Sequence, residues 1–307
     1  TLRSDWIELL ACPTCLGSLA LRDESSREIV RGALRCVACA VDYAIEDGIV
    51  DFAPSFEPDS PTDALKLSEM RLRDAEATEY ESLFIPLRSE AEIAAARDAL
   101  SPRREDLVLE LGIGPARVAR RYGPQVGRIL GVDLSWRSLQ VARERLMALR
   151  VDACLVRADI CRLPVRAGVC NKALAAQVLQ HLPSAHDLRA SLDETARVVE
   201  RGGLFVATVY HLSLPKRIRG FLRADEVSDR EGLHSDGQVY YQNFSRREFR
   251  SLLAERFDPI DVRGIVMQMG PGMHRANRLT RTLETALQRT AIARWGSHLL
   301  LGVARNR

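Results

Sequence analysis

Two groups of residues in this sequence have the types and spacing that chemistry requires. The first lies in the run 108–117: Glu110, then Gly112 and Gly114 one residue apart. Asp133 ends a second apolar run, 129–132, and Asp159 follows a third, 153–158. A residue without Cβ lets the backbone turn sharply and approach a ligand closely. An acid about 20 residues further on can take both hydroxyls of a ribose. The chemistry is that of a pocket for a nucleoside. The second group is Cys12 with Cys15 and Cys36 with Cys39, two C-x2-C pairs separated by twenty residues. Four thiolates can close a tetrahedral site with no open position, which makes a bound zinc ion structural. Free buried thiols or two disulfides are the alternative reading of the same cysteines.

Regular elements must carry the three acids to one rim. Short apolar runs ending in an acid read as strands, and residues 116–122 and 138–149 between them fit helices, with Ser135 as a cap. Acids at the C-terminal ends of three successive parallel strands surround the crevice where doubly wound sheets bind ligands. A dinucleotide fingerprint would need a third glycine where Arg117 stands, so NAD fits poorly. Further along, 171–176 reads as a fourth strand and 187–199 as a helix. Arg201, Gly202 and Gly203 turn the chain into a fifth strand over 204–209. A helix over 246–255, a sixth strand over 260–269, a break at Pro271 and Gly272, a basic helix over 277–294 and a last strand over 298–304 complete the order.

On these glycines and acids, residues 106–307 resemble the class I S-adenosylmethionine (SAM) methyltransferases. The resemblance implies an α/β fold, a doubly wound, seven-stranded Rossmann-like sheet, with SAM as cofactor. It implies backbone contact at Gly112 and Gly114, Asp133 with Leu134 at the ribose, and Asp159 with Ile160 at the adenine. Glu110 would act near the amino-acid end. The family's usual third glycine is Ala116 here. The segment 177–183 matches the stretch after the fourth strand, where Gln177 and His181 are expected to line the reaction centre; a histidine satisfied on a helix turn is the plain alternative for His181. That segment lacks the Asn/Asp-Pro-Pro-aromatic pattern of enzymes that methylate exocyclic base amines.

The text around the cysteines, 9–13 and 43–50, resembles the Trm112-like zinc ribbon over most of residues 5–56. In that family the ribbon often accompanies a methyltransferase and extends its sheet, so a strand within 45–52 is expected to do so here. An acidic segment of this length buries little core alone, and metal binding is expected to fold it. The expected organisation is a zinc-ribbon domain at 1–60, a helical linker and lid at 61–105, and a methyltransferase domain at 106–307 with insertions near 212–244 and 270–296. Pro54, Pro58 and Pro61 mark the linker, and Tyr80 is a lid residue or an ordinary packing aromatic.

Charge and acceptor come last. Residues 1–60 carry five Arg and no Lys against eleven Asp and Glu, a net of −6, whereas residues 270–307 carry seven Arg against Glu284, a net of +6. A ribbon that grips RNA should be basic, and this one is acidic. No apolar run approaches the roughly 18 residues of a membrane helix, and three of the seven cysteines, Cys154, Cys161 and Cys170, stand singly. A reduced, cytoplasmic setting without membrane or DNA partners is expected. Methyl transfer is an in-line displacement, so alignment of the acceptor is the main task. His181, His211 and His234 are the imidazoles expected near the rim, with His211 or His234 as base, and Tyr210, Tyr240 and Tyr241 as groups that hold the acceptor. A small biosynthetic intermediate is the first acceptor class. RNA is the second, supported by the basic helix, and a non-catalytic SAM-binding scaffold is the third.

Overall fold

A parallel strand covered on both faces needs no alternation of apolar and polar residues, and residues 107–111 show none. In the computed structural model the described residues are 2–22, 28–54, 56–57, 59–83, 85–214, 216, 230–234, 237, 239–267, 282, 286, 290 and 293–307. The strands are β1 (Leu2–Arg3), β2 (Leu19–Leu21), β3 (Glu28–Ile29), β4 (Gly32–Cys36), β5 (Asp42–Glu46), β6 (Ile49–Asp51), β7 (Leu107–Leu111) and β8 (Arg128–Asp133). They continue as β9 (Ala153–Arg157), β10 (Cys170–Ala176), β11 (Val199–Tyr210), β12 (Glu231–His234), β13 (Val239–Gln242), β14 (Phe257–Met267) and β15 (Ser297–Asn306). The helices are α1 (Ser4–Ile7), α2 (Pro61–Glu76), α3 (Pro86–Leu100), α4 (Ala119–Tyr122), α5 (Trp136–Ala148), α6 (Ala185–Val198), α7 (Arg246–Ala254) and α8 (Ala293–Gly296).

One sheet runs β14-β15-β11-β10-β7-β8-β9-β6-β5-β4-β2. From β9 to β11 its neighbours are parallel, and β15 lies antiparallel between β11 and β14. This is the doubly wound, Rossmann-like arrangement expected from the three acids. The order reverses between β7 and β10, and a ligand crevice opens at their C-terminal ends. Helix starts are set locally. Ser135 accepts from the Ser138 amide at 3.0 Å to cap α5, and Ser245 and Glu248 form a reciprocal capping box on α7. Residues 116–122, expected to be helical throughout, are helical only as α4, because the turn after β7 stays left-handed as far as Ala116.

The sheet does not end at seven strands. β6 pairs in parallel with β9, Ile49 to Asp51 opposite Leu155 to Arg157, and β5, β4 and β2 follow as antiparallel neighbours, giving eleven strands. The N-terminal segment therefore extends the sheet of its own chain, through the strand within 45–52. Further contacts reinforce the pairing. Leu10 forms a bridge with Val165, and the Ala11 amide donates to the Pro164 carbonyl at 3.0 Å. Trp6, fully buried, donates through Nε1 to Asp152 at 3.0 Å while the Arg128 guanidinium lies 3.9 Å from its ring centre. Trp6, Leu10 and Val50 share one apolar cluster with Leu109, Leu130 and Val156.

Of the two expected insertions, 212–244 contains the hairpin β12–β13. Residues 277–292, the body of the expected basic helix, lie outside the described residues except Thr282, Ala286 and Thr290, as do Pro271 and Gly272. Among the described residues no helix is long and apolar enough to cross a membrane.

A shared core predicts shared unfolding. Trp6→Ala removes a buried ring and both of its polar contacts, which costs about 3–5 kcal/mol. Urea unfolding should shift as one transition for the whole chain. An early separate transition of the N-terminal segment, with the rest unmoved, would contradict the common core.

Candidate active site

The turn after β7 carries three residues in the left-handed region, Gly112 at φ +62°, Gly114 at +52° and Ala116 at +60°. At Gly112 a Cβ would sit 2.6 Å from a Val178 methyl, so that glycine is demanded by packing. At Gly114 a Cβ would meet nothing within 4 Å; it would project into open space at the rim. Ala116 adopts the same region despite its methyl, at a cost of about 1–2 kcal/mol. Asp133 then ties the turn to the next strand. Its Oδ2 accepts from the Gly114 amide at 2.7 Å and its Oδ1 from the Ser135 amide at 2.8 Å. Burial raises its pKa to about 6 against those two amides. Each oxygen keeps a lone pair for a further donor.

These residues wall a cavity of about 830 Å³, counting its open mouth. Gly112, Gly114, Asp133, Leu134, Asp159, Ile160 and Gln177, all expected at the cofactor, line it, as does His181. Glu110 does not. It is 1% exposed beneath the turn, and the Tyr122 hydroxyl donates to its Oε2 at 2.6 Å. Burial lifts the Glu110 pKa to about 8 even against that hydrogen bond. Glu110 therefore supports the turn from beneath, and any part it takes at the amino-acid end would run through the backbone or water, not through its own carboxylate.

Helix α2 lines the cavity with Lys66, Glu69, Met70 and Arg73, and Tyr80 from the following 3-10 turn joins them. Lys66 reaches down to Asp159 at 2.8 Å and Asp187 at 2.7 Å. Burial opposes its charge, but the two carboxylates outweigh burial and hold its pKa above the ordinary lysine value. Arg73 pairs with Glu69 and Glu76, each at 3.2 Å. Sequence reasoning missed Lys66, since one lysine between Leu65 and Leu67 gives no spacing signal.

A second cavity of about 1240 Å³, again counting open space, adjoins the first. Arg73, Tyr80, Gln177 and His181 line both, so they form the boundary between two compartments. Gln177 is held there at φ +54° by its amide donating to Thr208 at 3.1 Å and by its side chain donating to Glu92. Glu92 lies on α3, fully buried, and also accepts from Arg117 at 2.8 Å and Thr208 at 2.7 Å. Arg117, which stands where a dinucleotide fingerprint would need its third glycine, points into this buried pair. Glu92 was also missed, although an acid on the face shared by Ala95 and Ala96 is a legible anomaly.

The histidines and tyrosines divide. Gln177 and His181, expected at a reaction centre, stand on the wall shared by the two cavities. His181 Nδ1 lies 2.8 Å from the Tyr240 carbonyl. A carbonyl only accepts, so Nδ1 donates, and Nε2 lies 3.4 Å from the Gln180 side-chain nitrogen. His211 lines neither cavity; it is 4% exposed, its Nδ1 lies 2.8 Å from the Ser297 hydroxyl, and burial depresses its pKa to about 4. Its assignment as base is corrected accordingly. The backbone of His234 lies in β12; its side chain is outside the described residues. Tyr210 lines the second cavity. Tyr240 and Tyr241 line neither, because the Tyr240 hydroxyl is drawn to Glu231 at 2.9 Å and the Tyr241 ring packs edge-on near Tyr210 and against Gly232. Their hairpin contributes Val239 instead. His298, on β15, lines the second cavity and was not expected there.

At the far end of the molecule, Cys12, Cys15, Cys36 and Cys39 bring their four sulfurs within 4.8 Å of one another, unbridged by disulfides. Sulfurs 2.3 Å from a tetrahedral zinc ion would be about 3.8 Å apart. The closest pairs here, at 3.5 and 3.6 Å, fit that cage. The Tyr43 hydroxyl lies 3.0 Å from the Cys12 sulfur, a contact that orients a ligand from outside.

The buried Glu92 predicts a graded response. Glu92→Ala strands the Arg117 charge and should cost about 3–5 kcal/mol, measured by urea unfolding. Glu92→Gln, which keeps the shape, should cost less, and both variants should weaken ligand binding through Gln177.

Residues 108–203 match a family model described as a methyltransferase domain. No curated protein sequence matches the chain. Among solved structures, similarity extends to 1,6-didemethyltoxoflavin-N1-methyltransferase of Burkholderia thailandensis, crystallised with 1,6-didemethyltoxoflavin and S-adenosylhomocysteine (16% identity, TM-score 0.55, 88% of this chain and 97% of that one). It extends also to a SAM-dependent methyltransferase of Thermotoga maritima described as a possible histamine N-methyltransferase (16%, 0.52, 78% and 99%). A third is a chain in the complex of the Haloferax volcanii Trm112 methyltransferase activator with a putative methyltransferase (17%, 0.51, 76% and 97%). At such identities the structures show the fold. The matched domain, with the glycine turn and the acids along the rim, makes the chain an enzyme, a SAM-dependent methyltransferase, and the structures give it a Rossmann-like fold.

Proposed function

We propose that this enzyme transfers the methyl group of SAM to a small-molecule acceptor held in the second cavity. The observation that carries the reading is the common wall of Arg73, Tyr80, Gln177 and His181 between two compartments, one lined by the glycine turn and Asp133 and the other by residues remote from them. Asp133 would accept from the ribose hydroxyls while Gly114 lets the cofactor approach the backbone. Leu134 and Ile160 would flank the nucleoside. Asp159 would face the adenine with one oxygen already bonded to Lys66 and the other to the Cys161 amide at 2.9 Å. When bound, SAM supplies a methyl group on an activated leaving sulfur, displaced in line by the acceptor.

The protein's share is to hold the acceptor in line and exclude water, worth up to several kcal/mol. Gln177 is fixed at the boundary by Thr208 and Glu92, and the 3-10 turn with α3 closes the acceptor side through Leu83 and Ile85. A walled cavity of this size suits a small ligand. The same fold holds a small heterocycle in the Burkholderia protein. The second reading, RNA as acceptor, is supported by the net +6 of residues 270–307. Tritium from methyl-labelled SAM should enter an ultrafiltered small-molecule extract and not total RNA. Labelling of RNA alone, lost at moderate salt, would replace the first reading by the second.

For the N-terminus we propose a ribbon over 1–60 with one structural zinc ion on Cys12, Cys15, Cys36 and Cys39, a lid over 61–105 and a methyltransferase domain over 106–307. The cysteine cage and the β6–β9 pairing support it. The ribbon would stabilise the sheet within one chain. One zinc per chain is expected by elemental analysis, and Cys36→Ser should lose the metal and lower the melting temperature of the entire enzyme.

A further inference from the structure

We propose that His298 fixes the methyl acceptor, with Nδ1 exchanging a hydrogen bond with a polar group of the molecule bound in the second cavity. This rests on the small-molecule reading above and adds to it the residue that selects the acceptor. Most polar side chains around that cavity are occupied within the protein. Glu92 takes three donors, Ser89 accepts from Arg117 at 3.0 Å, Arg73 is paired twice, and His181 is held by Tyr240. Nδ1 of His298 is different: it is buried and, among the described residues, has no hydrogen-bond partner. A buried polar atom left unmet loses its hydration without compensation, and such an atom in a native fold calls for a reason.

Position supplies the reason. His298 lines the second cavity and not the first. Its ring centre is 5.9 Å from that of Tyr210, whose ring is in turn 5.8 Å from His181 on the shared wall. A planar acceptor lying along Tyr210 would thus reach from the methyl donor's side to His298. Burial, with Lys216 and Arg88 adding to it, depresses the His298 pKa to about 3. The ring is therefore neutral near pH 7 and offers one donor and one acceptor nitrogen. It can hold a polar group of the acceptor without placing a second cation beside the sulfonium.

Three measurements on two variants decide the matter. Without ligand, His298→Leu should melt at or above the wild-type temperature, because an unmet polar atom gives way to an apolar side chain. A fall of several degrees would mean that Nδ1 serves the fold, and would overturn the proposal. Calorimetry with S-adenosylhomocysteine should give the same Kd for wild type, His298→Leu and His298→Asn. In labelling of the ultrafiltered extract from methyl-tritiated SAM, His298→Leu should raise the extract concentration for half-maximal rate about tenfold, as loss of a hydrogen bond worth about 1.4 kcal/mol would. His298→Asn, whose amide takes the place of Nδ1, should restore most of it. Equal extract dependence for wild type and His298→Leu, or no rescue by asparagine, would overturn the proposal. Wild-type labelling of RNA in place of the extract would instead overturn the small-molecule reading, and the same variants compared on RNA would then decide His298.

Discussion

The site depends on one buried carboxylate. Taking Glu92 and Arg117 out of water carries a desolvation cost of several kcal/mol per ion, and their attraction repays it only where further hydrogen bonds satisfy the remaining lone pairs. Thr208 and Gln177 supply those bonds. Four parts of the chain meet there: α3, the glycine turn, the end of β11 and the residue that follows β10. None can shift alone, since movement of any one leaves a charge or an amide unmet in a low-dielectric interior. Gln177 is held in a left-handed conformation at the boundary of the two cavities for this reason, and the lid is tied to the sheet by the same group.

The opposite edge of the sheet follows a different logic. β9 would be an edge strand in a seven-stranded sheet, with a row of unpaired amides and carbonyls that invites association. β6 covers it, and β5, β4 and β2 carry the pairing outward to a strand of only three residues. The covering segment cannot bury much apolar surface alone. It gains Trp6, Leu10 and Val50 as parts of the larger core, and the larger domain gains a closed edge. Stability therefore flows in both directions across β6 and β9, and the four cysteines gather at the loops that link these short strands.

Much of this was legible in the residues. Gly112, Gly114, Asp133 and Asp159 read as a pocket because left-handed turns and acids at strand ends are local requirements, written at fixed spacing. The cysteine pairs read as a cage for the same reason. What sequence could not show was contact between distant elements. Lys66 meets Asp159 and Asp187 across 93 and 121 residues of chain, and no periodicity encodes that. Glu110 had the right spacing for a cofactor contact, yet Tyr122, 12 residues on, folds back to take its carboxylate. His211 and His298 stand near one another across β11 and β15, and only register decides which faces the cavity. Tyr240 and Tyr241 followed the sound rule that rim insertions shape acceptor pockets, but alternation turns Tyr240 to the face opposite Val239, toward Glu231, and Tyr241 packs near Tyr210 and against Gly232.

The charges around the cofactor cavity form a preorganised set. Glu69, Asp133 and Asp159 line it, and each acid would be costly to bury unmet. Glu69 and Asp159 are paired with Arg73 and Lys66 from the lid, while Asp133 is satisfied by backbone amides. The carboxylates therefore stay oriented without a ligand and need no reorganisation when one binds, the condition under which fixed dipoles and charges act most strongly. Because Lys66 belongs to α2 and Asp159 to the loop after β9, the bonds that fix the cavity's electrostatics also hold its roof in place. Positioning of the lid and orientation of the carboxylates are in this protein one interaction.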